Sequence, residues 1–232
     1  MIPKKGVLIC FTGIDGSGKS THAISVANFL SQDNVKCKYV WTRWIATSLK
    51  PIVVLIKKWL SKRKISDKNY IEYKSAKRRY LRKSLARIWQ NIVLFDYFLR
   101  VLVKIEIPLL FGNVLVCDRY LYDTLVDLAV DSSYSKGQSK NMLNMYITLL
   151  FPKPDVVFLL DVPEEVALKR KGDIPALTYL IDRRNFYLAL AEEYPYIKVL
   201  DNSGDFNETQ GKIRNEVCKI LSLNFQSRKR NL

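Results

Sequence analysis

Gly13-Ile-Asp-Gly-Ser-Gly-Lys-Ser20 is the stretch on which the reading of this 232-residue chain turns. It follows Val7-Leu-Ile-Cys-Phe-Thr12, an apolar run of strand length. It precedes a segment in which Ala23, Val26, Ala27 and Leu30 mark one helical face. Strand, GxxxxGKS, helix is the context in which this spacing makes a phosphate cradle. Gly13, Gly16 and Gly18 let the backbone curl and come close to a ligand. The successive N–H groups, Asp15, Ser17 and Thr21 among their bearers, form an anion-binding nest at a helix N-terminus. Lys19 is predicted to reach the β- and γ-phosphates of a nucleoside triphosphate, and the Ser20 hydroxyl to sit on Mg²⁺.

Outward from this loop, short apolar strands alternate with helices. Strands are predicted at 6–12, 35–42, 113–117, 155–161 and 196–200. Helices are predicted at 19–31, 48–63, 70–111 (broken at least once), 120–131, 139–150, 163–171, 176–194 and 207–222. That alternation argues for a parallel sheet covered on both faces, in one α/β domain over 1–225 with a frayed basic tail at 226–232. Cys10, Cys37, Cys117 and Cys218 are scattered, with no metal-ligand spacing, and read as reduced residues of a cytoplasmic protein. No apolar leader precedes the first strand. The most apolar stretch, 88–111, is interrupted by Asp96, Arg100, Lys104 and Glu106, which argues against a membrane span.

A second group is expected at the end of the buried strand Val114-Leu-Val-Cys-Asp118. In a doubly wound sheet, ligands gather at the carboxyl ends of the strands. Asp118 therefore lands near the Mg²⁺, and Arg119 offers a bidentate fork suited to a phosphate. The strand Val156-Val-Phe-Leu-Leu-Asp161 leads into Val-Pro-Glu-Glu165 and then the basic, Gly/Pro-interrupted stretch Lys169-Arg-Lys-Gly-Asp-Ile-Pro175. The residues at about 169–176 read as a flap whose cations, Arg170 foremost, would close over transferring phosphates.

Taken in order, Phe11-Thr-Gly-Ile-Asp-Gly-Ser-Gly-Lys-Ser-Thr21, Val116-Cys-Asp-Arg-Tyr120 and Leu160-Asp-Val-Pro-Glu-Glu-Val-Ala-Leu-Lys-Arg170 closely resemble the thymidylate kinase family. The resemblance implies a three-layer P-loop kinase fold with five parallel strands, ATP and Mg²⁺, an acceptor pocket beside the loop, and a homodimer. It implies that Asp15 touches the acceptor's sugar and that Arg119 holds its phosphate. Such a family places its catalytic Arg either in the loop or in the flap. Gly16 and Ser17 occupy the loop here, which leaves Arg170, or Arg183 or Arg184, to supply that charge. The acceptor half departs from the family. Only Thr42-Arg43 remains of a longer motif after the second strand, which keeps Arg43 as an acceptor candidate. Asp123 and Val126-Asp127-Leu128 replace the family's Ser and Ala-Tyr-Gln.

Charge is concentrated in the middle. Between Arg43 and Lys104 there are 17 Lys or Arg against three acids, a net of +14 in a chain of net +16. Three of the four Trp, Trp44, Trp59 and Trp89, lie there, and Trp41 just before. The helical segment 44–111 reads either as solvated helices over the acceptor pocket or as a surface for anionic membrane or nucleic acid. No helix-turn-helix or zinc pattern supports sequence-specific binding. The leading expectation is a nucleoside monophosphate kinase acting on dTMP. One alternative is a kinase of the same fold acting on a hydroxyl, with Asp15, Asp118 or Asp123 as base. The other is an ATP-dependent docking module.

Overall fold

Val7–Thr12 forms the central strand β1, and its burial is continuous because both of its faces are covered. The computed structural model describes residues 6–42, 95–132, 151–171 and 176–230, side chains at 128, 131, 132 and 224–230 excepted. Arg43, the expected helices at 48–63 and 139–150, and flap residues 172–175 lie outside the described residues. So does most of the basic segment.

The elements follow the expected alternation: β1, α1 (Lys19–Gln32), β2 (Cys37–Trp41), α2 (95–110), β3 (Val114–Asp118) and α3 (Leu121–Ser132) come first. They are followed by β4 (Val156–Asp161), α4 (Glu164–Arg170), α5 (Leu177–Glu193), β5 (Ile197–Asp201) and α6 (Phe206–Arg230). All strand pairs are parallel, in the order β2-β3-β1-β4-β5. The three-layer α/β architecture expected from the sequence is the one observed.

Period-two alternation splits the core between the two faces. Leu8 and Cys10 of β1, Leu115 and Cys117 of β3, and Val157 and Leu159 of β4 face α2, α3 and α5. Val7, Ile9, Phe11, Val114, Val116, Phe158 and Leu160 face the other way. There they meet the Ala23, Val26, Ala27 and Leu30 stripe of α1 and Ile213, Val217 and Leu221 of α6. Apolar residues on both sides of each central strand are what a parallel sheet under two helical layers requires.

Two helices differ from expectation. The break expected in the long middle helix is a widened turn, Leu102–Glu106, in which the Ile107 N–H bonds to the Leu102 carbonyl five residues back. Pro108 follows in the next turn. It has no N–H to give and its ring crowds the carbonyl four residues earlier, so the wider turn relieves both. The terminal helix α6 continues to Arg230, where a frayed tail was expected after 225. Cys10 and Cys117 are buried as expected, Cys37 is half-buried and Cys218 is exposed, and all four are free thiols.

The chain runs from β1 outward to β2 and back to β3, then crosses β1 to β4. The order therefore switches at β1, and the glycine loop leaves from that strand's carboxyl end. Thr12, Thr42, Asp118, Asp161 and Asn202 end or directly follow the five strands, so every group of the site stands on one edge of the sheet.

Candidate active site

The loop after β1 has the left-handed backbone that its glycines permit. Gly16 has φ +86° and Gly18 φ +88°. A Cβ on Gly16 would stand 2.4 Å from the Ala167 carbonyl oxygen of α4, so the loop lies directly against the flap helix. Lys19 opens α1 and is buried. Its Nζ donates to the Ile14 carbonyl at 2.5 Å and approaches Ser17 Oγ at 3.3 Å, which holds the ammonium across the loop. Burial, then the neighbouring Arg119, lower its pKa to about 7 against the pull of Asp123, Asp15 and Asp118.

Asp118 ends β3 opposite the loop. Its Oδ2 accepts the Ser20 hydroxyl at 2.5 Å and the Tyr39 hydroxyl at 2.9 Å. Its Oδ1 is buried with no hydrogen-bond partner among the described residues. An anionic oxygen left unpaired beside a serine hydroxyl is costly unless a cation sits there. Ser20 Oγ and Asp118 Oδ1 are hard oxygen donors of the kind Mg²⁺ prefers when phosphates and water supply its other ligands. The residues present therefore fit the ion expected from the sequence. Tyr39 is a partner the sequence did not reveal; its phenol stays protonated well beyond the usual range, because burial and the Asp118 carboxylate disfavour a phenolate.

Arg119 follows in the left-handed region with φ +70°, unusual for a residue with a side chain. Two bonds hold the turn. Its N–H donates to the Phe11 carbonyl at 2.9 Å, and the Thr42 hydroxyl donates to its carbonyl. This gives Thr42 a physical role: it fixes the angle at which Arg119 leaves the sheet. The guanidinium pairs with Asp15 Oδ1 through one nitrogen and with Asp123 Oδ1 at 3.2 Å through the other. Burial works against its charge, but Asp123, Tyr187 and Asp15 more than offset that and keep it protonated.

Asp123 is fully engaged. Its Oδ2 accepts the Thr12 hydroxyl at 2.9 Å and the Tyr120 N–H at 3.1 Å. Its Oδ1 accepts the Tyr187 hydroxyl at 2.9 Å as well as Arg119. Four donors on one buried carboxylate make Asp123 the anchor of Arg119. Burial raises its pKa, opposed by Arg119 and Lys19.

Asp15 is the junction with the flap. Besides Arg119, the Tyr179 hydroxyl lies 3.4 Å from its Oδ2 and Lys171 Nζ 3.7 Å from its Oδ1. Arg170, one residue earlier, is engaged elsewhere: it donates to the carbonyls of Asn202 at 2.9 Å and Ser203 at 3.4 Å. Of the other two arginines considered for the flap, Arg184 grips Asp161 at 2.6 and 2.8 Å and Glu164 at 3.2 Å. Arg183 pairs with Asp127 at 2.9 Å and stacks 3.6 Å from the Tyr179 ring centre. Of the expected flap cations, Arg170 thus reaches the backbone after β5 and Lys171 the Asp15 carboxylate.

Sequence reasoning missed Tyr39, Tyr187 and the pairing of Asp127 with Arg183. The Asp201-Asn-Ser-Gly204 turn after the last strand reads from the sequence either as a border of the adenine or as a plain turn, and its Asn202 bonds to the loop at Ser17.

Comparison with known proteins places the whole arrangement. A family model described as thymidylate kinase matches residues 11–213. A probable thymidylate kinase of Methanocaldococcus jannaschii is 30% identical over 222 residues, covering 93% of this chain and 95% of the relative. A thymidylate kinase of Plasmodium falciparum is 30% identical over 173 residues, 72% of this chain and 67% of the relative. A probable thymidylate kinase of Pyrococcus horikoshii is 25% identical over 205 residues, 85% of this chain and 88% of the relative.

Proposed function

This chain belongs to the thymidylate kinase family, and we propose that it transfers the γ-phosphoryl group of ATP to the phosphate of dTMP, giving dTDP and ADP. The observation that carries the reading is the pairing at the end of β3. Asp118 presents beside Ser20 a buried oxygen that has no partner among the described residues, and the next residue presents a guanidinium across from Asp15. A metal-binding carboxylate and a phosphate-binding fork, one residue apart and facing a phosphate loop, suit a reaction with a triphosphate donor and a phosphate acceptor.

In this reading the loop amides and Lys19 bind the β- and γ-phosphates, and Ser20 with Asp118 hold Mg²⁺. The ion, when bound, neutralises charge on the phosphates. Arg119 binds the acceptor phosphate in the bidentate manner its planar fork allows. Asp123, through four donors, fixes the plane of that fork. Asp15 yields Arg119 to the acceptor and turns to the acceptor's sugar. Lys171, already directed at Asp15, brings the flap's positive charge toward the transferring group, and Arg170 serves the donor side. An anionic acceptor needs no base, since positioning and charge supply the rate. The three carboxylates considered as bases for a hydroxyl acceptor are each engaged: Asp15 with Arg119, Asp118 with Ser20 and Tyr39, Asp123 with four donors. That supports a monophosphate acceptor.

The same reading takes the protein as a cytoplasmic homodimer, supported by the four free cysteines and the family's habit. Among the described residues no helix is long and apolar enough to cross a membrane. The basic segment then guides anionic substrates by its field, or touches an anionic membrane or nucleic acid.

ADP release from ATP and Mg²⁺ across dTMP, dUMP, UMP, CMP, AMP, GMP and deoxynucleosides tests the proposal. Turnover should be fastest with dTMP and fall about 10²-fold in kcat/KM in Arg119→Ala. Preferred turnover with a nucleoside would overturn it.

A further inference from the structure

Asn202, first residue after β5, is buried against the back of the phosphate loop and bonds in four directions. Its N–H donates to the Asp161 carbonyl at 2.8 Å, which ties it to the end of β4. Its own carbonyl accepts Arg170 at 2.9 Å. Its side-chain Nδ2 donates to the Ser17 carbonyl at 2.9 Å. Its Oδ1 stands 2.9 Å from Nε2 of His22 on α1. Glycine at 18 is what admits it: a Cβ there would stand 2.6 Å from Asn202 Nδ2.

The bond to Ser17 matters because of peptide geometry. In a trans peptide the C=O and the following N–H point in opposite directions. With the Ser17 carbonyl turned outward to Asn202, the Gly18 N–H must point inward to the cradle. A left-handed glycine gives the Ser17–Gly18 peptide freedom to turn over. The flipped peptide would aim a carbonyl oxygen at the phosphates and remove a donor from the nest.

His22 holds Asn202 in this orientation. Because Nδ2 is spent on Ser17, the atom facing His22 is an acceptor, so Nε2 must carry the imidazole proton. The other ring nitrogen, Nδ1, lies 2.6 Å from Oε1 of Gln210 on α6, so the ring is held between two side chains. Phe206 stacks on the imidazole with ring centres 4.5 Å apart.

We infer that Asn202, oriented by His22, is a positioning residue for triphosphate binding, acting through the Ser17–Gly18 peptide. The inference rests on the donor-site reading above and goes beyond it, since no part of the loop's sequence pattern includes residue 202.

The test uses inorganic tripolyphosphate with Mg²⁺, which needs the cradle but neither purine nor acceptor. Its affinity is measured by calorimetry on the full chain. Asn202→Asp keeps the shape, removes the donor and sets an oxygen against the Ser17 carbonyl. It should weaken tripolyphosphate and ATP at least tenfold while leaving dTMP affinity unchanged. His22→Leu should weaken both by a few fold. His22→Gln, whose amide nitrogen reaches about as far as Nε2, should restore most of the loss, a rescue that a merely space-filling role would not produce. If Asn202→Asp is unfolded at the assay temperature, the two His22 variants decide. Equal tripolyphosphate affinity in wild type and the variants would overturn the inference and leave the donor site standing. A wild type that fails to bind tripolyphosphate, or binds it equally well as Lys19→Ala, would overturn the donor-site reading and this inference with it.

Discussion

In the proposed reading, the donor half of the site takes phosphate on backbone N–H groups and two side chains, Lys19 and Ser20, inside one eight-residue stretch. The acceptor half takes it on side chains gathered from β1, the loop, the β3–α3 turn, α3 and α5. The two halves differ in how their charges are balanced. Among the described residues Asp118 keeps one oxygen unpaired, whereas Arg119 is matched by two carboxylates. On the proposed reading the donor half is thus arranged for an incoming cation and anion, while the acceptor half would exchange an internal partner, Asp15, for the substrate's phosphate. That exchange would couple acceptor binding to the flap, because Lys171 and Tyr179 approach the same Asp15 carboxylate.

The sharpest way to break this contrast is to remove one charge from each half. Lys19→Ala should lower kcat/KM about 10³-fold, the scale on which a preorganised electrostatic group acts at a transferring phosphoryl. Steady-state ADP release checks it, and a loss under tenfold would mean the ammonium is not at the reacting phosphates. Arg119→Ala should cost about 10²-fold in kcat/KM for dTMP with ATP affinity unchanged, and Arg119→Lys should not rescue, since a point charge cannot reproduce the fork. A parallel loss of ATP affinity would erase the distinction between the halves.

Asp123→Ala tests the internal balance. It leaves Arg119 buried with one carboxylate fewer and should destabilise the fold by about 3 kcal/mol, as broken buried ion pairs do. Urea unfolding reads this directly, and an unchanged midpoint would show that Asp123 is dispensable to the packing. A pH series sharpens the donor half. Burial lowers Lys19 to about 7, and the proposed reading has the triphosphate bind its protonated form. ATP affinity should therefore be insensitive to Lys19 below pH 7 and fall by up to about tenfold per unit above it, with proton uptake on binding. Calorimetry in two buffers of different ionisation enthalpy measures that uptake; its absence at pH 8 would place the lysine pKa higher. The smallest expected difference lies in the flap. Arg170→Ala should raise KM for ATP a few fold, while Lys171→Ala should lower kcat by a similar factor. The reverse pattern would return Arg170 to the transferring phosphates.

How much of this was legible in the sequence follows the same divide. The five strands, the parallel sheet and the phosphate loop could be read because each depends on residues close together in the chain: period-two apolar runs and glycines at fixed offsets. Asp118 and Arg119 were legible because strand ends converge at the switch point of such a sheet. The role of Asp123 was not. A carboxylate one turn into a helix looks equally suited to a ligand hydroxyl and to an internal cation, and Thr12 and Tyr187 reach it only once β1, α3 and α5 are packed. Arg170 and Lys171 are chemically alike and adjacent, and the direction in which α4 ends decides which faces Asp15. The Pro108 turn was foreseen only as a break, since sequence shows the missing N–H but not how the helix absorbs it.

The sequence by itself determined the fold class, the glycine loop after the first strand and the family, because backbone chemistry at short spacing is written locally. The tertiary structure decided which carboxylates are spent on Arg119, which flap cation faces Asp15, and that Asn202 supports the loop from 185 residues away. Those outcomes depend on side chains from distant segments competing for the same few hydrogen bonds, and only packing settles that competition.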